Sequence, residues 1–275
     1  MSTALQALWP SVVKPVIGML HAPPLPGAPR CRSALDELIT HVMADAEALV
    51  AGGVDGLVLE NFGDAPFFGS RVPPWTVSHL ACIAREVRRS FDIPVGINVL
   101  RNDALAALGV ALAAGARFIR VNVLCGVRAT DQGIIEGQAA ELLRARAALG
   151  AEHIRIFADV NVKHSAPLGP PRPVQAEVSD LIERGGAEAV IVSGSGTGAD
   201  VDIDELRAVR EAAGEVPVLI GSGTRPETVA ALGKVADGFI VGTALKRDGV
   251  SAAPVDPRRV SALMDAVRKL RAGRQ

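Results

Sequence analysis

The sequence predicts a (β/α)8 barrel, also called a TIM barrel, for three reasons. Short β-branched segments alternate with helical segments eight times, glycine follows many of the helical segments, and the last helical segment lies near the end of the chain. A length of 275 residues fits one barrel domain over residues 1–275, because such barrels run to about 250 residues. An open doubly wound sheet would favour a GxGxxG turn after the first strand, but that strand leads into His21-Ala22-Pro23-Pro24.

The strands and helices follow from hydrophobic periodicity and from turn residues. The predicted strands are Val16–His21, Gly56–Asn61, Pro94–Leu100, Phe118–Leu124, Arg155–Lys163, Ala189–Gly194, Pro217–Gly223 and Gly238–Thr243. The clearest predicted helices are Ser33–Ala51, Ile134–Leu149, Val174–Arg184, Asp202–Ala213 and Pro257–Arg271. Three proline-rich stretches, Ala22–Pro29, Ala65–Pro74 and Ala166–Pro173, follow strands and are predicted to be long loops at the active end of the barrel.

Composition limits the class of protein and of partner. Basic and acidic residues number 29 and 30, so a nucleic-acid partner is not expected. Three cysteines without a CxxC spacing indicate reduced thiols and a cytoplasmic protein without a signal peptide. The longest uncharged apolar run, Ala104–Ala116, has about 13 residues, fewer than the roughly 20 that a transmembrane helix needs. Self-association into a homo-oligomer is expected, although no residue indicates how.

Polar residues recur on the strand faces predicted to point into the barrel. Alternate residues of a strand face opposite sides, and the apolar set should pack against the helices. The third, fourth and fifth strands then direct Asn98, Arg120, Asn122, Asp159, Asn161 and Lys163 into one lumen. Because a barrel interior is normally filled with branched apolar residues, these groups should pair with one another or bind a ligand.

Two interpretations of this polar set stay open. Arg120 and Asp159 could form a deep structural ion pair, or Asp159 could act in catalysis. Lys163 could bind phosphate, polarise a carbonyl or form a Schiff base if desolvation lowers its pKa. At the end of the second strand, either Glu60 or Asn61 must point inward, and Glu60 could act as a base.

Histidines and oxygen ligands suggest further contacts at the same end. His21 ends the first strand and His164 follows Lys163, so both could touch a ligand. The sequence contains neither an HxH nor an HExxH spacing, either of which would favour a zinc site. No cofactor is predicted. A Mg²⁺ site could be built from oxygens of Glu60, Asn122, Asp159 and Asn161.

Small residues after the last two predicted strands indicate a phosphate site. Gly221, Ser222 and Gly223 follow the seventh strand, and Gly242 and Thr243 follow the eighth. Such loops let backbone N–H groups approach an anion, and a helix expected after the seventh strand would add positive potential. Because these loops commonly bind phosphate in this fold, the barrel is predicted to be of the phosphate-binding type. A glycine-rich loop at 193–198, which begins with Ser193 and Gly194, could become ordered when a ligand binds, since glycine and serine supply donors and hinge freedom.

Several longer motifs resemble the BtpA/SgcQ family over about residues 12 to 250. They are Gly18-Met19-Leu20-His21 with Pro24-Leu25-Pro26-Gly27, Glu60-Asn61-Phe62-Gly63-Asp64, 98–103 (NVLRND), 118–123 (FIRVNV), 130–137 (TDQGIIEG), 159–164 (DVNVKH), and the loops Gly221–Thr224 and Gly242–Lys246. The resemblance implies a barrel with these motifs at its mouth. The family is named for photosystem I biogenesis in cyanobacteria, but it has members in bacteria without photosystems, so the name implies little about chemistry.

Three functions are compatible with these features. The first is an enzyme for a small phosphorylated metabolite, such as a sugar phosphate, with lyase, isomerase or epimerase chemistry. The second is a nucleotide-binding or nucleotide-hydrolysing protein, which the absence of a GxxxxGK[ST] loop disfavours. The third is a non-catalytic biogenesis factor for a photosystem or another membrane complex. We expect a small phosphorylated ligand and neither a nucleic-acid partner nor a transmembrane segment.

Overall fold

Eight parallel strands close into one barrel, as the sequence predicts. The computed structural model describes residues 3–194, 196 and 200–273. The barrel strands, numbered with the strands outside the barrel in chain order, are β1 Val16–His21, β2 Gly56–Glu60, β3 Val95–Asn98, β4 Phe118–Val121, β7 Arg155–Val160, β9 Ala189–Val192, β10 Val218–Ile220 and β11 Gly238–Val241. Each strand pairs with the next in this order, and β11 returns to pair with β1.

Helices surround the barrel between successive strands. They are α1 Ala4–Leu8, α2 Leu35–Ala51, α3 Pro74–Ser90, α4 Ala104–Ala114, α5 Ala139–Ala148, α6 Val174–Ser179 with a π-helical turn at Asp180–Arg184, α7 Ile203–Ala213, α8 Val229–Leu232 and α9 Pro257–Ala272. Short 3-10 turns occupy Phe62–Asp64, Thr243–Leu245 and Arg247–Gly249. Apolar faces of the helices and the outward-facing strand residues form the main hydrophobic core.

The predicted strands other than the first extend too far at their carboxyl ends. The fifth barrel strand, for example, was predicted to run to Lys163 but ends at Val160. The residues beyond each strand leave the parallel ladder and form the loops of the mouth. The side-chain alternation that places residues in the lumen therefore stops at the end of each observed strand.

A small antiparallel sheet, absent from the sequence prediction, stands beside the barrel. It comprises β5 Val127–Thr130, β6 Gly133–Glu136 and β8 Ser165–Pro167 in the order β6-β5-β8. The helix predicted over Ile134–Leu149 is therefore wrong at its start, because Ile134 and Ile135 belong to β6 and the helix begins only at Ala139. Ile135 is buried with Val123 and Val162, which gives this sheet its own small apolar cluster.

Aromatic side chains fill the amino-terminal half of the barrel interior. The rings of Phe118 and Phe157 stack with their centroids 4.8 Å apart, and Trp9 lies 6.0 Å from Phe118. Helix α1, which the sequence did not predict, adds Leu5 and Leu8 to this cluster. The interior is thus closed at this end and can open only at the carboxyl ends of the strands.

Gly96 on β3 makes room for the aromatic stack, and its replacement should destabilise the protein. A Cβ atom at Gly96 would lie 2.1 Å from Cε2 of Phe118, whose ring is held by Trp9 and Phe157. We expect Gly96→Ala to lower the free energy of unfolding by about 2–3 kcal/mol, measured by urea denaturation.

Gly109 provides a matched control on α4. A Cβ atom there would meet nothing within 4 Å, so Gly109→Ala should raise the free energy of unfolding by roughly 0.5–1 kcal/mol. Equal effects of the two substitutions would contradict the packing described for Gly96.

Candidate active site

The barrel interior opens into a cavity of about 1120 Å³ at the carboxyl ends of the strands. Of the predicted site residues, His21, Glu60, Arg120, Asn122, Lys163, His164, Gly221, Ser222, Gly223, Gly242 and Thr243 lie in its wall. Asn98, Asp159, Asn161, Ser193 and Gly194 are not part of that wall. The fold therefore brings most of the predicted site residues together at the carboxyl ends of the strands, which is the usual position of active sites in this fold.

A buried polar network forms the floor of the cavity. Arg120 donates to Asp159 from Nη2 at 3.0 Å to Oδ1 and 3.1 Å to Oδ2, and from Nε at 3.2 Å to Oδ1. Asn122 Nδ2 donates to Asp159 Oδ2 at 2.6 Å, and Asn98 Nδ2 donates to Asn122 Oδ1 at 3.1 Å. Because these bonds satisfy Asp159, the deep ion pair is the interpretation that matches the geometry. A proton-transfer role for Asp159 stays a prediction.

Glu60, and not Asn61, points from β2 into the cavity. The Asn61 side chain accepts from the Leu100 N–H at 2.7 Å and donates to Asp64 at 3.1 Å, so it holds the loops beside the mouth. The Glu60 carboxyl has no hydrogen-bond partner among the described residues. Burial raises the pKa of Glu60, and the positive charges of Arg120 and Lys163 oppose that rise. Glu60 is thus a carboxyl group suited to both giving and accepting a proton.

Lys163 reaches the cavity from the segment that follows β7. Its ammonium has no hydrogen-bond or ion-pair partner in the described part of the chain. Burial lowers the pKa of Lys163, and the charge of Arg120 lowers it further. His164 lies at the rim and is exposed, and partial burial and the charge of Arg101 lower its pKa.

Asn161 does not face the lumen, which corrects the sequence prediction. Its φ of 50° is left-handed, and this turn breaks the strand alternation directly after β7. Its Oδ1 accepts from Arg128 at 2.8 Å, and its Nδ2 donates to Glu205 at 2.9 Å. The oxygens suggested for Mg²⁺ therefore do not converge, since Asn161 points away and Arg120 occupies Asp159. No group of three or more His, Cys, Asp or Glu side chains suited to a metal ion occurs in residues 3–194, 196 and 200–273.

His21 is a buried histidine at the end of β1. Its ring stacks on Phe62 with centroids 4.5 Å apart, and Nδ1 lies 3.2 Å from the Ser251 carbonyl oxygen. Burial lowers the pKa of His21 from 6.5 to about 4, the charge of Lys246 adds to the decrease, and the Ser251 carbonyl opposes it. Lys246 itself is buried in an ion pair with Asp45. A neutral His21 ring therefore forms one side of the cavity at pH 7.

The loops after β10 and β11 form the neighbouring part of the wall, where Gly242 lies against the His21 ring. Gly223 has a φ of 71°, and the N–H groups of Gly223 and Thr224 have no acceptor within the described residues. Ser222 Oγ accepts from the Gly194 N–H at 2.6 Å, and Thr243 Oγ1 lies 2.8 Å from Ser251 Oγ. The helix expected after β10 is wrong as a source of positive potential, because α8 is a single turn over Val229–Leu232. Backbone N–H groups, rather than a helix end, make this wall receptive to an anion.

The loop after β9 supports that wall from behind. The Ser193 side chain packs against Gly221, where an added Cβ would lie 2.6 Å from Ser193 Oγ. Ser193 Oγ is buried and has no hydrogen-bond partner in the described chain. Positions 195, 197 and 198 of the glycine-rich loop at 193–198, which is predicted to order on binding, lie outside the described residues.

Two buried polar residues of the cavity, Arg101 and Thr224, were given no individual role in the sequence analysis. Arg101, in the loop after β3, is 6% exposed and lines the cavity, where Nη2 donates to the Lys163 carbonyl oxygen. Thr224 is buried in the wall, and its Oγ1 has no partner among described groups. The position of Arg101 directly after the predicted strand Pro94–Leu100, at the active end of the barrel, is the signal that could have identified it.

Comparison with known proteins decides the family. The model of the BtpA family matches residues 12–269. The chain belongs to the BtpA family. It is 48% identical over 253 residues to the photosystem I biogenesis protein BtpA of Synechocystis, covering 92% of this chain and 88% of that protein. It is 45% identical over 260 residues to an uncharacterised protein of Pyrococcus horikoshii, covering 94% and 98% of the two chains.

Solved structures that resemble this BtpA-family chain are barrel enzymes. Thiamine phosphate pyrophosphorylase of Pyrococcus furiosus aligns with a TM-score of 0.57 at 15% identity, covering 94% of this chain and 96% of that one. KGPDC of Streptococcus mutans aligns with a TM-score of 0.56 at 14% identity, covering 94% and 99%. At such identities the likeness establishes the fold. None of the described helices is long and apolar enough to span a membrane.

The low pKa of His21 predicts a loss of stability in acid. An unfolded chain protonates this histidine near pH 6.5, whereas the folded chain resists protonation down to about pH 4. The contribution is therefore complete above pH 6.5 and is lost as the pH falls towards 4. Between pH 7.5 and 4.5, His21→Gln should lose about 2 kcal/mol less free energy of unfolding than the wild type, in urea titrations at both pH values.

His153, an exposed histidine before β7, serves as the control. His153→Gln should follow the wild-type pH dependence. If His21→Gln and the wild type lose the same free energy in acid, the ring is not held neutral in the folded protein.

Proposed function

We propose that this BtpA-family protein is an enzyme for a small phosphorylated metabolite, with lyase, isomerase or epimerase chemistry. The observation that carries the proposal is an unpaired carboxyl and an unpaired ammonium, from Glu60 and Lys163, in the same cavity as the small-residue loops after β10 and β11. Buried ionisable groups without partners are costly to stability. Their presence in a cleft favours a role with a ligand.

The loops at Gly221–Thr224 and Gly242–Thr243 bind the phosphate group in this proposal. Free N–H groups of Gly223 and Thr224 supply donors, and hydroxyls of Ser222 and Thr243 line the same wall. Loops at these positions are the common phosphate site of the fold. Two aligned enzymes are named for phosphorylated compounds, one for thiamine phosphate and one for a phosphoribosyl group. These names support the proposal of a phosphate ligand.

The other end of the cavity performs the chemistry. Glu60, with its raised pKa, exchanges a proton with the carbon next to a substrate carbonyl. The Lys163 ammonium stabilises the negative charge that develops on the carbonyl oxygen. Arg120 and Asp159 act as positioning residues, because their mutual hydrogen bonds fix the floor from which these groups are presented.

A negative charge placed in the phosphate wall should weaken ligand binding. Thr243→Asp puts a carboxylate where we place the phosphate, and repulsion should weaken the binding of ribose 5-phosphate or glycerol 3-phosphate about tenfold or more in isothermal titration calorimetry. Thr40→Asp, on the exposed face of α2 outside the cavity, should leave binding unchanged. Failure of every phosphorylated probe to bind the wild type would refute the proposal.

Borohydride trapping distinguishes two roles for Lys163. If its neutral amine attacks a substrate carbonyl, water leaves and an imine forms, which borohydride reduces to a stable secondary amine. Mass spectrometry should then find the adduct on Lys163, lost in Lys163→Ala and kept in Lys234→Ala, where an exposed lysine is removed. If a phosphorylated aldehyde or ketone binds but gives no adduct, Lys163 acts as an electrostatic catalyst only.

The name of the Synechocystis relative supports a second candidate, a role in assembly of a membrane complex. Such a role does not need the unpaired groups of the cavity. In a strain that lacks its own copy, Lys163→Ala and Glu60→Gln variants would then restore the phenotype as well as the wild type does. Loss of complementation with normal protein levels would favour the enzyme.

A further inference from the structure

The inner end of the cavity carries more positive than negative charge. Three cations, Arg101, Arg120 and Lys163, face two carboxyl groups, Glu60 and Asp159, which leaves one positive charge uncompensated if both carboxyls are ionised. Arg120 and Asp159 neutralise each other through three hydrogen bonds. The excess therefore belongs to Arg101 and Lys163.

Arg101 is held in place with most of its donors unused. Its backbone N–H donates to the Phe68 carbonyl at 3.0 Å, and its Nη2 donates to the Lys163 carbonyl. A guanidinium has five N–H donors in a planar fork, and the Lys163 carbonyl is its side-chain partner among the described residues. With 6% of the residue exposed, the remaining donors face the cavity, where a ligand can reach them.

Glu60 cannot balance both cations. Burial raises the pKa of Glu60 and lowers the pKa values of Arg101 and Lys163, as expected for charges that lack a full set of partners. Asp131 also attracts Arg101, but it is exposed at the turn between β5 and β6, where Gln132 donates to it. A buried cation without a partner is unfavourable, and a bound anion would remove that cost.

We propose that Arg101 binds a carboxylate of the substrate, so that the substrate is a phosphorylated hydroxy acid or keto acid. This inference rests on the proposed function and adds a second anchor at the opposite end of the cavity. The planar fork of arginine matches the two oxygens of a carboxylate. With the phosphate on the loops after β10 and β11 and the carboxylate on Arg101, the carbon next to the carboxylate lies beside Lys163 and Glu60.

The test compares matched probes by isothermal titration calorimetry at constant ionic strength. The pairs are 6-phosphogluconate with glucitol 6-phosphate, and 3-phosphoglycerate with glycerol 3-phosphate, which differ by the carboxylate at two chain lengths. The wild type should bind one of the two acids at least about tenfold more tightly than its partner without the carboxylate. Fructose 1,6-bisphosphate tests whether Arg101 binds a second phosphate group instead of a carboxylate.

Variants locate the carboxylate within the cavity. Arg101→Gln should reduce the preference for the acid to about twofold or less while keeping the affinity for the phosphate-only probe. Arg101→Lys, which keeps the charge but not the fork, should give an intermediate preference. Arg30→Gln removes an exposed arginine at the outer rim of the same cavity and should keep the full preference. Thermal melting confirms that each variant is folded.

The outcomes separate this inference from the proposed function. Equal binding of the acid and of its partner without the carboxylate by the wild type overturns the carboxylate site but leaves the phosphate site intact. A preference that persists in folded Arg101→Gln also overturns it. Tighter binding of the bisphosphate, with the same dependence on Arg101, replaces the carboxylate with a second phosphate. No binding of any phosphorylated probe refutes the proposed function itself.

Discussion

The ion pair between Arg120 and Asp159 separates two halves of the barrel interior that have opposite character. Arg120 lies opposite Phe157 in the register of β4 and β7, so the apolar stack begins directly beneath the pair. Above it the cavity opens to the mouth. A buried ion pair offsets the cost of desolvation only when its geometry and remaining hydrogen bonds are good. Here three bonds from Arg120 and one from Asn122 meet that condition.

The same pair modifies the electrostatics of the groups above it, where burial is the largest influence. The charge of Arg120 opposes the rise in the pKa of Glu60 and contributes to the decrease in the pKa of Lys163. Burial raises the pKa of the carboxyl and lowers that of the amine, towards the range in which they exchange protons near neutral pH, and Arg120 limits the first shift and adds to the second. A structural floor and the reactivity of the residues it carries are therefore one feature of the molecule, and a change in the floor should alter both.

The sequence predicts the residues whose positions depend on regular periodicity. Arg120 and Asp159 could be placed in the lumen because β4 and β7 alternate without interruption at these positions. Asn161 could not, because its left-handed backbone follows the strand end, and no residue type marks that end. Ile134 and Ile135 fit a helix or a strand equally well in a short segment, and pairing with β5 decides the outcome. Arg101 lies in a loop, where periodicity gives no information.

The fold and the family of this protein each indicate little about its reaction. The aligned barrel enzymes share 12–17% identity with this chain, so they establish the fold and nothing about the ligand or the reaction. The relatives at 48% and 45% identity share the family but give no chemistry through the words that describe them. The side chains that the fold does not require are therefore the features that indicate the reaction. A barrel floor needs Arg120 and Asp159 to be paired, but it does not need Glu60, Arg101 and Lys163 to be left with unused charge. Those three residues are therefore the ones that should determine its substrate.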